Sequence, residues 1–152
     1  MTEIKEISWE EIQAVWSTKL WPSRESAIEP VSAMRYLGGY TSDLGAPTFL
    51  GLFVDDALVG VNSFHKVERA YRSRGLWVDE QMRSRGYGIL LLKETIARVD
   101  RCIWSFPRSS SVSTYTKAGF VITSGEMGNP DIGATNYYAL CEDKKPSGCN
   151  CT

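Results

Sequence analysis

The stretch Arg83-Ser84-Arg85-Gly86-Tyr87-Gly88 sets two cations and two glycines just ahead of four aliphatic residues, Ile89 to Leu92. Such a set can cradle a phosphate. A helix starting there leaves its first N–H groups without partners, and its dipole favours negative charge at that end. Glycine lets the main chain approach a ligand closely and enter backbone conformations closed to larger residues. The same residues would equally serve as a turn before a buried helix. Two other phosphate loops are excluded. A dinucleotide loop needs a third glycine where Leu91 stands, and a nucleotide-hydrolase loop needs a lysine where Ile89 stands.

Proton-transfer chemistry has few candidates. His65 is the only histidine, with an unperturbed pKa suited to a general base, and Glu68 and Glu80 flank the same region. Tyr115, on an amphipathic stretch, reads either as a core aromatic or as a proton donor. A metal site is not expected: zinc wants four ligands, and beyond His65 there is only the C-x-C of Cys149 and Cys151 after a polar run. Cys102 and Cys141 lie in strand-like runs, where a buried free thiol is the usual state. A reducing cytoplasm is the expected home.

Charge is unevenly spread along the 152 residues. Residues 66–108 carry ten Lys/Arg against five Asp/Glu, whereas residues 1–65 carry four against nine. A basic middle beside an acidic first half suggests an anion site next to a cation site. The net charge of −1 argues against nucleic acid as a partner. No apolar run is long enough to cross a bilayer, and the acidic N-terminus does not read as a secretory signal.

Several elements must position these residues. Ser8 and Glu11 form a capping box ahead of a helix marked by Ile12, Val15, Trp16 and Leu20. A second helix is expected between Ser23 and Tyr36, followed by a glycine-rich loop. "TFLGLFV" and "LVGVNSF" read as strands joined at "DDA", and "RGLWV" as a third. Ile89, Leu92, Ile96 and Val99 mark one helix face, with Glu94 and Arg98 paired on another. "CIWSF" is a strand, "SSVSTYTKAG" a helix ending at Gly119, and "FVITS" and "NYYALC" strands separated by a loop containing "GNPDIG". One domain over residues 1–143 accounts for all of this, with 144–152 a polar tail. The class is α/β (α+β), a mixed sheet covered by helices.

The run "GLWVDEQMRSRGYGILLLKETI" resembles the acyl-CoA-binding segment of the GNAT superfamily of N-acyltransferases: a strand ending in L-x-V, a turn of pattern [QR]-x-x-G-x-[GA], then a helix. Arg83, Gly86 and Gly88 fill the defining positions. Further on, "STYTKAGF" resembles the family's Y-x-K-x-G-F helix end, with Tyr115, Lys117, Gly119 and Phe120 in place. The resemblance implies a mostly antiparallel sheet of about six or seven strands flanked by about four helices. It implies transfer of an acetyl group from acetyl-CoA to the amine of a small molecule or peptide. In that reading Arg83, Ser84, Arg85, Gly86, Tyr87 and Gly88 hold the pyrophosphate. A backbone N–H near the end of the fourth strand, at Val78 or a neighbour such as Trp77, polarises the thioester. Tyr115 protonates the leaving thiolate, and the base is open between His65, Glu68 and Glu80. Many members place an Asn before the tyrosine helix. This chain has "PRSSS" there, so either Ser109, Ser110 or Ser111 replaces that pantetheine contact or the contact is absent. The first helices usually wall the acceptor site, and Glu25, Glu29 and Asp43 would steer a cationic amine toward it. A sensor that holds acyl-CoA without catalysis is the alternative, and a homodimer is left open.

Overall fold

The computed structural model describes residues 1–20, 47–67, 69–125, 127–129 and 134–142. β1 (Thr2–Ile7) leads into α1 (Trp9–Val15). The capping box forms as spelled: the Ser8 N–H donates to Glu11 Oε1 at 3.0 Å and the Glu11 N–H to Ser8 Oγ at 3.1 Å. A π-helical turn (Trp16–Leu20) carries the helix on to Leu20. The helix expected between Ser23 and Tyr36 lies outside the described residues, as do Glu25, Glu29, Asp43 and the tail 144–152.

β2 (Thr48–Val54) and β3 (Ala57–Val67) form a hairpin whose turn residues, Asp55 and Asp56, have φ of 50° and 70°. Two positive φ values give the turn the twist that a two-residue hairpin needs. β4 (Ala70–Val78) returns alongside β3, and a single 3₁₀ turn (Glu80–Met82) leads to α2 (Tyr87–Arg98). Then come β5 (Ile103–Ser105), a 3₁₀ turn (Ser109–Ser111) and α3 (Val112–Ala118). Gly119, with φ of 117°, stops α3 as its spacing predicts. β6 (Val121–Ile122), β7 (Met127–Asn129), β8 (Ala134–Asn136) and β9 (Ala139–Cys141) close the chain.

Seven strands form one sheet in the order β1-β2-β3-β4-β5-β9-β6, antiparallel throughout except between β4 and β5. This is the mixed, mostly antiparallel sheet that the sequence implies. β7 and β8 form a separate hairpin where only a loop is expected, because three-residue strands carry too little alternation to be read. Helix α2 also departs from its expected stripe. Leu91, Leu92 and Thr95 are the fully enclosed residues, while Ile89, Ile96 and Val99 pack at the margin. Thr95 reads as polar in sequence, yet its hydroxyl donates to the Leu91 carbonyl and accepts from Asn62 Nδ2. The Glu94–Arg98 pair forms at 2.8 Å.

Two cores sandwich the sheet. Leu50, Leu52, Phe64, Leu91, Leu92 and Ile103 fill the α2/α3 side, and Ile7, Ile12, Val15, Phe49 and Val61 fill the α1 side. The cysteines divide differently from expectation. Cys141 keeps its thiol, but fully buried Cys102 is disulfide-bonded. No described helix is long and apolar enough to cross a membrane.

Candidate active site

The loop before α2 bends twice into the left-handed region, at Ser84 (φ 66°) and Gly86 (φ 83°). Left-handed residues in a tight turn can bring successive N–H groups to one side, the arrangement of an anion-binding nest. A Cβ added at Gly86 would meet nothing within 4 Å, so Gly86 is not packed against the described residues on that side. Gly86 is the N-cap of α2, and its carbonyl accepts the first helical bond from Leu90 at 3.0 Å. The helix thus points its unpaired N–H groups out of the loop. Arg83 and Arg85 flank it, both exposed. Arg83 also anchors the loop, since its Nε donates to the Val78 carbonyl at 3.0 Å and ties it to the end of β4. Gly88 is different. A Cβ there would lie 3.1 Å from Thr114 Cγ2, so this glycine lets α2 and α3 close together. Tyr87 is half-buried against the α2-side core.

β4 has one edge to spare. It pairs with β5 only at Tyr71–Ile103 and Arg72–Trp104, after which the strands part. On its other edge, Val61 faces Trp77 while Ser63 faces Arg74, so Gly75 and Leu76 together stand opposite Asn62. This is a β-bulge, and Gly75 supports it with φ of 84°. A bulge leaves one residue out of the ladder, which offers a backbone N–H for use elsewhere. It lies two to three residues before Val78, which itself pairs with Gly60. Below the end of β4 is a cavity of about 370 Å³ lined by Thr18, Lys19, Trp77, Asp79, Glu80, Gln81 and Arg83.

Tyr115 sits where the two strands separate. Its hydroxyl lies 3.4 Å from Ser105 Oγ, and Ser105 donates its one hydrogen to the Ser73 carbonyl at 2.8 Å. With that hydrogen committed to Ser73, Tyr115 is the donor and Ser105 Oγ the acceptor in the longer contact between the two hydroxyls. Burial raises the Tyr115 pKa above 10, against smaller opposing effects of the Ser105 hydrogen bond and the Arg72 charge. The group keeps its proton at neutral pH. Phe120 holds the ring edge-on at 5.2 Å. Ser73 continues inward to Asn62, whose Nδ2 donates to Ser73 Oγ and to Thr95 Oγ1, both at 2.9 Å. A buried polar chain thus fixes the strand against which Tyr115 rests.

The register places His65, Arg72 and Arg74 on the opposite, α1-facing side of the sheet. All three are buried. Burial, then the charges of Arg72 and Arg74, push His65 down from 6.5 to about 4. It is neutral at physiological pH and too weakly basic to carry a proton from an ammonium group. The stability consequence has a definite sign. Below pH 6.5 the unfolded chain binds a proton that the folded chain refuses, so stability falls as pH drops from about 6.5 toward 4, by about 3 kcal/mol at most. His65→Gln should flatten this part of a plot of Tm against pH. Parallel curves for the variant and the wild type would show that His65 is not the titrating group.

A glycine loop flanked by two arginines at a helix start, a strand that parts from its neighbour, and a buried tyrosine at the parting point now stand together. The sequence of residues 2–120 matches the Acetyltransferase (GNAT) family. The chain belongs to that family. Its fold agrees with solved GNAT structures. An aminoglycoside 6′-N-acetyltransferase complexed with coenzyme A superposes with a TM-score of 0.69 at 13% identity, covering 94% of this chain and 98% of its own. An IAA acetyltransferase from Bacillus cereus gives 0.68 at 18%, covering 93% and 99%. A PaiA N-acetyltransferase from Thermoplasma acidophilum in complex with coenzyme A gives 0.58 at 17%, covering 93% and 99%. No curated protein sequence matches the chain.

For a GNAT chain the residues present fit coenzyme A: a turn with left-handed residues at Ser84 and Gly86, the flanking Arg83 and Arg85, and the free edge of β4 leading to Tyr115. Ser109 and Ser111 lie in the turn that opens α3, Ser109 exposed and Ser111 half-buried, where the asparagine of other members would stand. Trp77 lines the cavity from the α1 side. His65 does not join this group, and Glu68 is outside the described residues. Two contributors escape sequence reading: the bulge at Gly75 and Ser105. Only Gly75 gave a signal, a glycine inside a strand.

Proposed function

We propose that this GNAT chain transfers an acetyl group from acetyl-CoA to a primary amine by direct attack in a ternary complex. The observation that carries the reading is the protonated, buried Tyr115 hydroxyl at the point where β4 leaves β5. The loop at Ser84–Gly86 holds the pyrophosphate with backbone N–H groups, helped by Arg83 and Arg85. Pantetheine lies along the free edge of β4, and an N–H of the bulge at Gly75–Leu76 polarises the thioester carbonyl as it becomes tetrahedral. An amine with a pKa of roughly 10 must lose its proton before attack. Glu80, exposed on the cavity wall beside Asp79, takes that proton through water. Asp79 is already occupied, accepting from the Gln81 N–H at 2.9 Å. Tyr115 then donates to the departing thiolate. Acyl-CoA is an intracellular metabolite, which supports a cytoplasmic setting for the reaction.

Initial rates measured over a grid of acetyl-CoA and amine concentrations test the ternary complex. Intersecting double-reciprocal lines are expected. Parallel lines would mean that the acetyl group is first passed to the protein.

A further inference from the structure

Arg72 is only 9% exposed, and burial lowers its pKa to about 10, so it is charged at neutral pH. A buried charge is costly unless it is paired. Yet among the described residues its Nε has no hydrogen-bond partner, and no ion pair there engages it. Aromatic rings take the place of an acid. The guanidinium carbon lies 5.1 Å from the centre of Trp104 and 5.5 Å from that of Phe106. Trp104 in turn stacks on Tyr138 at 5.6 Å and 15°. Rings over the guanidinium leave its in-plane N–H edge for an acceptor. The three rings are half-buried, so the cluster is not sealed from solvent.

The position is as informative as the charge. Arg72–Trp104 is the last β4–β5 pair before the strands part. The next residues, Ser73 and Ser105, support Tyr115 from the other face of the sheet. The cation therefore stands one residue from the transfer point, on the α1-facing side. A single guanidinium beside aromatic rings suits a planar, bidentate anion better than a tetrahedral phosphate, which asks for more donors.

We propose that Arg72 is the anion-binding residue of the acceptor site, and that the acceptor is an amine carrying a carboxylate close to its amino group, with its side chain laid against Trp104 and Tyr138. This rests on the reading of the chain as an amine acetyltransferase and narrows its substrate to free amino acids and close analogues. The guanidinium holds the carboxylate while the adjacent amine faces the thioester.

Matched pairs that differ only in the carboxylate test this: alanine and ethylamine, phenylalanine and phenethylamine, tryptophan and tryptamine. Wild-type kcat/KM should favour the amino acid of at least one pair by tenfold or more. Arg72→Gln should lower kcat/KM for that amino acid by about ten- to a hundredfold and for its amine partner by less than threefold. Equal losses on both would place Arg72 on the transferring group instead and overturn the proposal. Calorimetry of the same compounds, with coenzyme A present, needs no turnover and so separates this proposal from the catalytic reading. Tighter binding of the amino acid, lost in Arg72→Gln, supports the site even if no amide forms. No amino acid binding better than its decarboxylated partner overturns it. Arg72→Met should keep or raise Tm, because it removes a buried cation without an acid partner among the described residues. A lower Tm, with unchanged preference for the amino acid, would make Arg72 a packing residue.

Discussion

Tyr115→Phe should lower kcat by about tenfold to a hundredfold while leaving KM for acetyl-CoA and Tm nearly unchanged. The substitution keeps the ring, its edge-on contact with Phe120 and its burial, and deletes only the hydroxyl. That hydroxyl lies 3.4 Å from Ser105, and Ser105 already donates to the Ser73 carbonyl. Little folding energy rests on it. Burial raises its pKa, so it enters the reaction protonated at any physiological pH. General acid help is worth about a hundredfold or more in many enzymes. A thiolate is a tolerable leaving group, which sets the expectation at the lower end. The signature is a loss in kcat with acetyl-CoA binding intact. Wild-type turnover by the variant, in an assay limited by chemistry, would leave Tyr115 as a packing residue and the proton to water.

Gly86→Val should weaken acetyl-CoA binding by about tenfold or more in calorimetry. The residue has φ of 83°, a conformation that a β-branched side chain adopts only at high cost. The loop must then open, and the N–H groups it gathers turn away from the pyrophosphate. A Cβ there meets no protein atom within 4 Å, so the core is untouched and the variant should fold. Gly88 provides the contrast. A side chain there presses on Thr114 at 3.1 Å, so its effect should appear in Tm through the α2–α3 contact. The two glycines of one motif therefore serve different purposes. A folded Gly86→Val protein that binds acetyl-CoA as tightly as the wild type would remove the loop from the cofactor site.

Much of this is legible in the sequence, for reasons that differ by residue. The capping box at Ser8 and Glu11 is local chemistry, complete within four positions, and it forms as read. The strands from 48 to 78 alternate strongly enough to be found, although β4 is longer than its apolar stretch because Tyr71, Arg72, Ser73 and Arg74 are strand residues with polar or buried-polar side chains. The glycine loop and Tyr115 came from motif spacing. The residues that complete the site were hidden because they act across the sheet. Ser105 matters only because the parallel β4–β5 pairing brings it beside Ser73 and Tyr115. Arg72 looks like any strand arginine until the register sets it against Trp104. His65 misleads in the opposite direction. Its type suggests a base, but enclosure beside two arginines removes the basicity that made it attractive.

The most direct test of the account is a reaction with acetyl-CoA labelled in the acetyl group and a panel of amines that includes free amino acids. Mass spectrometry of the products would follow the label. The account predicts that label appears in an amide of at least one amine, together with an equal amount of free coenzyme A, at a rate that falls with Tyr115→Phe. Acetyl-CoA bound at the loop but left intact with every amine, or hydrolysed at a rate no amine changes, would contradict it and leave a protein that holds the cofactor without transferring its acetyl group.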